Sequence, residues 1–288
     1  MASLIVTKAS GELLFDTARI CHGLVKSGHM TYIETWPRQY LRSANLDPNH
    51  GGNWNPSFRE GDAMYGFTLD AAVSPIVFIV GKGCLNGTRR SGSSITFLYT
   101  GGDAGTRYYC FDLMADNIPG GPYLKTYTDT GVITFNSLQP PLNIVAAVRA
   151  PPAPDNDRYG RKVVTYLGGR HEKIRYQTAT VDTQLHCVVD IGLGNGNFAA
   201  CLPWARTASL IETATVGAGG LVSQYSVSEG VYGRAGGISF MFAPAGASPE
   251  AFPGGTAYSI PASYQNLPAD RLPEALVIST SHLPFPYR

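Results

Sequence analysis

The stretch Ser10–Thr17 reads SGELLFDT, and the chain writes it a second time as TGVITFNS at Thr130–Ser137. The two copies lie about 120 residues apart, the kind of internal self-match that has to be sought before any other pattern. At that shift Leu4 falls on Leu124, Gly11 on Gly131, Phe15 on Phe135, Asp16 on Asn136 and Thr17 on Ser137. Leu24 and Val25 then fall on Ile144 and Val145. Each copy has the chemistry of a β-hairpin. A short strand runs into a polar turn whose glycine supplies positive φ, and a second strand leaves with apolar alternation. The expectation is two equivalent hairpins, Leu4 to Val25 and Leu124 to Val145, with Gly11 and Gly131 in the turns and Phe15 and Phe135 facing inward.

Composition fits a chain made of such units. Its 288 residues are 44% hydrophobic but only 15% charged, with 33 Gly, 20 Pro and 16 Tyr. Abundant turn formers between short apolar runs point to an all-β architecture. A net charge of +1 gives no electrostatic footprint for nucleic acid. No run approaches the length of a membrane helix, so no membrane insertion is expected. The five cysteines, Cys21, Cys84, Cys110, Cys187 and Cys201, are scattered and form no CxxC pair. That spacing argues for reduced thiols in a chain made in a cytoplasm, and against a zinc site or disulfide framework. The start MASLIVTKASGEL lacks the features of a secretory signal.

Apolar runs place strands at His29–Glu34, Met64–Leu69, Ile76–Val80, Ile95–Thr100 and Tyr108–Leu113, the last two paired across GGDAG. Residues 36–63 hold no period and read as one long loop. The Pro/Gly cluster within DLMADNIPGGP, Asp112 to Pro122, marks a boundary between an N-terminal β domain (1–120) and a C-terminal β domain (121–288). Strands follow at Leu142–Val148, Lys162–Leu167, Lys173–Thr178, Leu185–Ile191, Leu221–Val227, Gly230–Tyr232, Ile238–Phe242 and Leu272–Thr280. The segment GLGNGN, Gly192 to Asn197, interrupts them as a loop or bulge, and Ala199–Ile211 has room for at most one helical turn because of Pro203. The expected architecture is therefore tandem antiparallel β-sandwich-like units with long loops and a Pro-rich C-terminal arm.

No catalytic, cofactor or metal constellation stands out. GLGNGN lacks the βαβ context of a dinucleotide fingerprint. There is no GxSxG, and no pair of acidic residues is assignable to glycoside hydrolysis from spacing, although such pairs can come from distant strands. The long loop is the better binding candidate. Trp36, Tyr40, Trp54 and Phe58, interleaved with Arg38 and Arg42, offer rings for stacking and guanidinium groups for directed hydrogen bonds. The competing reading, which residue burial favours, is that the two tryptophans plug the ends of the sandwich, since tryptophan is highly buried on average. The tail poses a similar choice. Leu283, Phe285 and Tyr287 are expected either to anchor the arm Ala243 to Arg288 on a neighbouring subunit or to fold back on their own domain.

The hairpin pattern, together with Tyr108-Tyr109-Cys110-Phe111-Asp112 and Ser74-Pro75-Ile76-Val77-Phe78, resembles tail-tip and tail-fibre proteins of long-tailed bacteriophages, notably those infecting Pseudomonas and related hosts. The resemblance covers mainly residues 1–145. It implies a β-rich, non-enzymatic virion component, made in the host cytoplasm and assembled as a trimer or ring with other tail proteins, in contact with a host-surface glycan or protein. Two other classes stay open: a carbohydrate-binding or glycan-hydrolysing virion or secreted protein, and an intracellular β-sandwich protein.

Overall fold

The structure, a computed structural model, describes residues 5–7, 9–11, 13–16, 19–43, 45–57, 61–121, 123–174, 184–214, 221–247, 249–251 and 262–288. All regular structure among them is strand, apart from one 3-10 turn at Gly51–Asn53. The first half contains β1 (Ile5–Thr7), β2 (Leu13–Asp16), β3 (His22–His29), β4 (Thr31–Trp36), β5 (Gln39–Leu41) and β6 (Trp54–Pro56). It continues with β7 (Asp62–Leu69), β8 (Ile76–Val80), β9 (Cys84–Ser91), β10 (Ser94–Thr100) and β11 (Arg107–Leu113). The second half contains β12 (Lys125–Tyr127), β13 (Ile133–Asn136), β14 (Ile144–Arg149), β15 (Arg170–Ile174) and β16 (Gln184–Cys201). It ends with β17 (Thr207–Ala214), β18 (Leu221–Pro244), β19 (Ser263–Gln265) and β20 (Glu274–Ser279).

The duplication is visible in hydrogen-bond register. In β1–β2, Ile5 faces Asp16, Val6 faces Phe15 and Thr7 faces Leu13, with a bulge after Val6. In β12–β13, Lys125 faces Asn136, Thr126 faces Phe135 and Tyr127 faces Ile133, with the bulge after Thr126. The turn glycines sit at φ 84° for Gly11 and 81° for Gly131, a region closed to most side-chain-bearing residues. The repeat continues past the hairpins. Leu24 faces Phe111 and Lys26 faces Cys110, leaving Val25 bulged, while Ile144 faces Ile278 and Ala146 faces Val277, leaving Val145 bulged. Phe135 is half-buried between the buried Thr134 and Asn136, and the side chain of Phe15 lies outside the described residues.

These matched blocks meet in one ten-stranded sheet whose path runs β14-β20-β16-β18-β8-β11-β3, with a direct pairing of Ala200 in β16 to Ile79 in β8. The two ends of that path touch. Leu24 N donates to Pro140 O at 2.8 Å and Leu142 N donates to His22 O at 2.8 Å, so the chain entering β14 pairs with the start of β3. The path β3-β11-β8-β16-β20-β14 is thereby closed into a six-stranded barrel with an approximate two-fold relation between its halves. Strand alternation sorts the side chains. Phe78, Val80, Tyr109, Phe111, Ala199 and Ile278 form one cluster, the barrel interior. Ile79, Tyr108 and Cys110 from the same strands point outward to a second cluster, capped by the separate sheet β4-β7-β10-β9. There Phe67 stacks on Tyr108 at 3.6 Å. On the other half, Ala200, Ala275 and Val277 point outward to a third cluster with Phe240, Phe242 and Tyr225. Emptying a fully buried site such as Phe78 by Phe→Ala costs about 3–5 kcal/mol.

Several expectations are corrected. The boundary near residue 120 separates repeats, but the central sheet takes strands from both sides of it. β10 pairs with β7 and β9, and β11 with β3 and β8, so the strands flanking GGDAG are not partners. GLGNGN lies inside β16 as an irregularity in its pairing with β18, and Ala199–Ile211 is strand at both ends. Residues 36–63 are not one structureless loop, because β5 and β6 pair within them. Lys162–Leu167 forms no strand beyond a single bridge, and Lys173–Thr178 is strand only through Ile174, with the remainder outside the described residues. Nor is everything after Ala243 an arm: Ala243 and Pro244 belong to β18, Leu276 and Ile278 belong to β20, and Phe252, Tyr258 and Ile260 lie outside the described residues.

The tail itself folds back on its own chain. Ser27 and Tyr287 exchange backbone bonds of 2.9 and 3.0 Å, and Ser27 Oγ donates to Pro284 O at 2.8 Å. Phe285 meets His29 edge-on at 5.0 Å and lies under the Arg107 guanidinium at 5.5 Å. Leu283, Phe285 and Tyr287 therefore cover the barrel and the outer edge of β3. They are spent within the chain as anchors, because an unpaired sheet edge beside apolar surface is satisfied most directly by a strand-like segment.

Candidate aromatic groove

β4 carries Trp36 at its end, and β5 and β6 return as a small ribbon with Gln39 facing Pro56 and Leu41 facing Trp54. This brings Trp36 and Trp54 together along a groove of about 400 Å³, completed by Pro37, Gln39, Ala247 and Pro249. Both indoles are tied down by their N–H groups. Trp36 Nε1 donates to Glu34 Oε1 at 2.8 Å, and Trp54 Nε1 donates to Pro48 O at 3.0 Å. Arg42 latches the 3-10 turn behind Trp54 by donating to Gly52 O at 2.6 Å. The backbone at Gly246 passes close behind Trp36: a Cβ there would lie 2.3 Å from Met64 Cε and 3.0 Å from the Trp36 ring.

The scaffold next to the groove is ionic and closed. Arg38 is buried, so it is withdrawn from the surface set to which its sequence neighbours assigned it. Its Nε and Nη2 donate to the Asp62 carboxylate at 2.9 and 2.7 Å, and its guanidinium lies 4.3 Å from the Tyr225 ring centroid. A charge removed from water needs such a partner. Glu250 adds a second tie, its N–H donating to Gln39 O at 2.9 Å while its carboxylate accepts from Ser57 and Ser223. Both halves of the chain thus hold the groove in shape. Tyr40 does not line it, because the strand that turns Gln39 toward the groove turns the next residue away. Phe58 lies outside the described residues.

Beside the groove Glu34 is held below the ordinary carboxylate range by the Trp36 indole N–H and by Arg89, which also contacts it. A carboxylate kept ionised in this way is a poor general acid for glycosidic cleavage. What the groove can do is bind. Two fixed indole faces stack on the apolar face of a ring, and the Gln39 amide supplies a directed hydrogen bond.

A second cavity of about 420 Å³ lies between β8, β10 and the end of β16, lined by Ile79, Tyr99, Cys201, Leu202, Trp204 and Glu229, among others. Its ionic group is consumed by structure. Arg206 Nε and Nη2 donate to Glu229 at 2.8 and 2.7 Å, and the Tyr166 hydroxyl donates to Glu229 Oε1 at 2.8 Å. Burial pushes Cys201 and Cys110 up to about 12, so both stay as thiols rather than nucleophilic thiolates. All five cysteines are free. Among the described residues no three His, Cys, Asp or Glu side chains gather to hold a metal ion, and no helix is long and apolar enough to cross a membrane.

No protein-family model matches the chain, and neither a curated protein nor a solved structure shows detectable similarity to it. The pairing of Trp36 with Trp54 was foreshadowed by their shared polar stretch. Ala247 and Pro249 were not, because they come from some 200 residues away; the only local signal is the small, turn-forming PAGASP.

Proposed function

We propose that this chain is a non-catalytic structural component of a bacteriophage tail tip or tail fibre, and that the Trp36–Trp54 groove is its contact with a host-surface glycan. The observation that carries the reading is the groove, with two indoles fixed on a scaffold braced by the buried Arg38–Asp62 ion pair. Rigid aromatic anchors lose little conformational freedom on binding, the property an attachment surface needs. The likeness of residues 1–145 to tail proteins supplies the setting.

Two measurements test it. Mass spectrometry and antibody labelling of purified particles are expected to find the chain at the tail end, and its absence from particles overturns the virion reading. Binding to polysaccharide isolated from the host surface is expected to weaken about tenfold or more in Trp54→Ala, the loss of a central aromatic anchor. Equal binding by the variant and the natural chain removes the groove from attachment.

A further inference from the structure

The cavity between the barrel wall and the sheet that caps it shares no lining residue with the Trp36–Trp54 groove. β8 contributes Val77 and Ile79 to it, β10 contributes Tyr99, and the segment after β16 contributes Leu202 and Trp204. Its volume of about 420 Å³ falls at the small end of the roughly 300–1,000 Å³ typical of small-molecule sites. The wall includes Gly83, where a Cβ would lie 3.1 Å from Ile79 Cδ1 and 3.4 Å from Tyr99 Cδ1, so the missing side chain leaves room beside both. The cavity runs from an exposed lip to a closed end. Leu85 and Trp204 are 44% and 43% exposed, whereas Ile79 is 1% exposed.

The polar groups of the wall select the guest. Among the described residues that line the cavity only Glu229 is charged, and its carboxylate is already engaged by Arg206 and by the Tyr166 hydroxyl. The pair presents no net charge, so an ion entering here would lose its hydration without a partner. Tyr99 is different. It is 4% exposed, and its hydroxyl has no hydrogen-bond partner among the described residues, although a tyrosine hydroxyl taken into a protein usually finds one. The groups nearest it are the thiols of Cys110 and Cys201, which are weak acceptors, and Cys201 is itself in the cavity wall. Burial keeps the hydroxyl protonated, so what it has to offer is a donor. A buried donor without an acceptor is costly, and a guest that brings an acceptor removes that cost.

We propose that this cavity binds a small, neutral, apolar molecule carrying one hydrogen-bond acceptor, such as a ketone oxygen, with the Tyr99 hydroxyl donating to that oxygen and Trp204 and Leu85 covering the apolar body at the mouth. Burial of apolar surface supplies most of the affinity, and the single hydroxyl fixes the orientation. The Trp204 ring, at the lip, adds a broad contact face at low conformational cost. This site is independent of the aromatic groove and of the chain's place in a virion.

The test uses two probes of nearly the same shape, acetylnaphthalene and ethylnaphthalene, which differ by one carbonyl oxygen. Equilibrium dialysis measures each against the full chain and its variants Tyr99→Phe, Trp204→Ala and Trp54→Ala. The natural chain is expected to hold the ketone about fivefold more tightly than the hydrocarbon, the worth of one net hydrogen bond. Tyr99→Phe is expected to erase that preference while keeping hydrocarbon binding, which also shows the variant to be folded. Trp204→Ala is expected to weaken both probes about tenfold, and Trp54→Ala to change neither. The proposal is overturned if the natural chain binds neither probe or binds them equally, or if Tyr99→Phe still prefers the ketone. Loss of binding in Trp54→Ala rather than Trp204→Ala would place the probes in the other groove and overturn it too. So would occupancy per chain that falls as the protein is concentrated, the sign of a cavity filled by a neighbouring copy.

Discussion

His186 is fully buried in β16, and neither ring nitrogen has a hydrogen-bond partner among the described residues. Burial first, and the Lys82 charge second, lower its pKa to about 4. The unfolded chain binds a proton near pH 6.5 and the folded chain does not until about pH 4, so between these values the unfolded state holds more protons. Stability from this group is intact above pH 6.5 and falls as pH drops toward 4, by about 3 kcal/mol in total. Urea titrations are expected to show the natural chain losing stability relative to His186→Leu as the pH is lowered through that window, and parallel curves would refute the assignment. The Arg206–Glu229 pair obeys a different rule. Arg206→Met alone strands a buried carboxylate and is expected to cost about 3–5 kcal/mol, whereas Arg206→Met combined with Glu229→Leu recovers most of it. Such residues were illegible in the sequence. Arg38 looked like a surface contact because its neighbours are polar, and only the arrival of Asp62 and Tyr225 from other strands explains its burial.

At the level of elements, the hairpins were legible because a hairpin is local: turn glycine, strand length and register all reside within a dozen residues. The partners of β10 and β11 were not, because alternation fixes which face a residue takes but not which strand lies beside it. The same limit hid the closure of the barrel, which rests on residues around Gly23 and Pro141. The turn glycines offer a test. An added Cβ at Gly11 or Gly131 meets nothing within 4 Å, so any cost of Ala comes from backbone strain, about 1 kcal/mol. Gly131→Ala is expected to lower global stability by that amount, because its hairpin is bonded to the barrel. Gly11→Ala, at the equivalent turn, is expected to cost a similar amount, and the two unfolding midpoints check it. No loss of stability in either variant would show that positive φ is not required at these turns.

For the whole molecule, the aromatic groove, the barrel and the tail are one mechanical unit, since the walls of each come from both halves of the sequence. Deleting residues 284–288 is expected to uncover the edge of β3 and the Arg107–Tyr109 surface. The resulting protein should be less stable by several kcal/mol and aggregate sooner on heating, as exposed edges do. Unchanged thermal unfolding of the truncated chain would show that the tail is ornamental.

The bond between Ser27 and Tyr287 also carries a consequence for biosynthesis. The edge of β3 is covered only by a segment made after β4 to β20, so it stays open while all of those strands are synthesised. In that interval the nascent first half shows uncovered strand to whatever chaperones the cell provides.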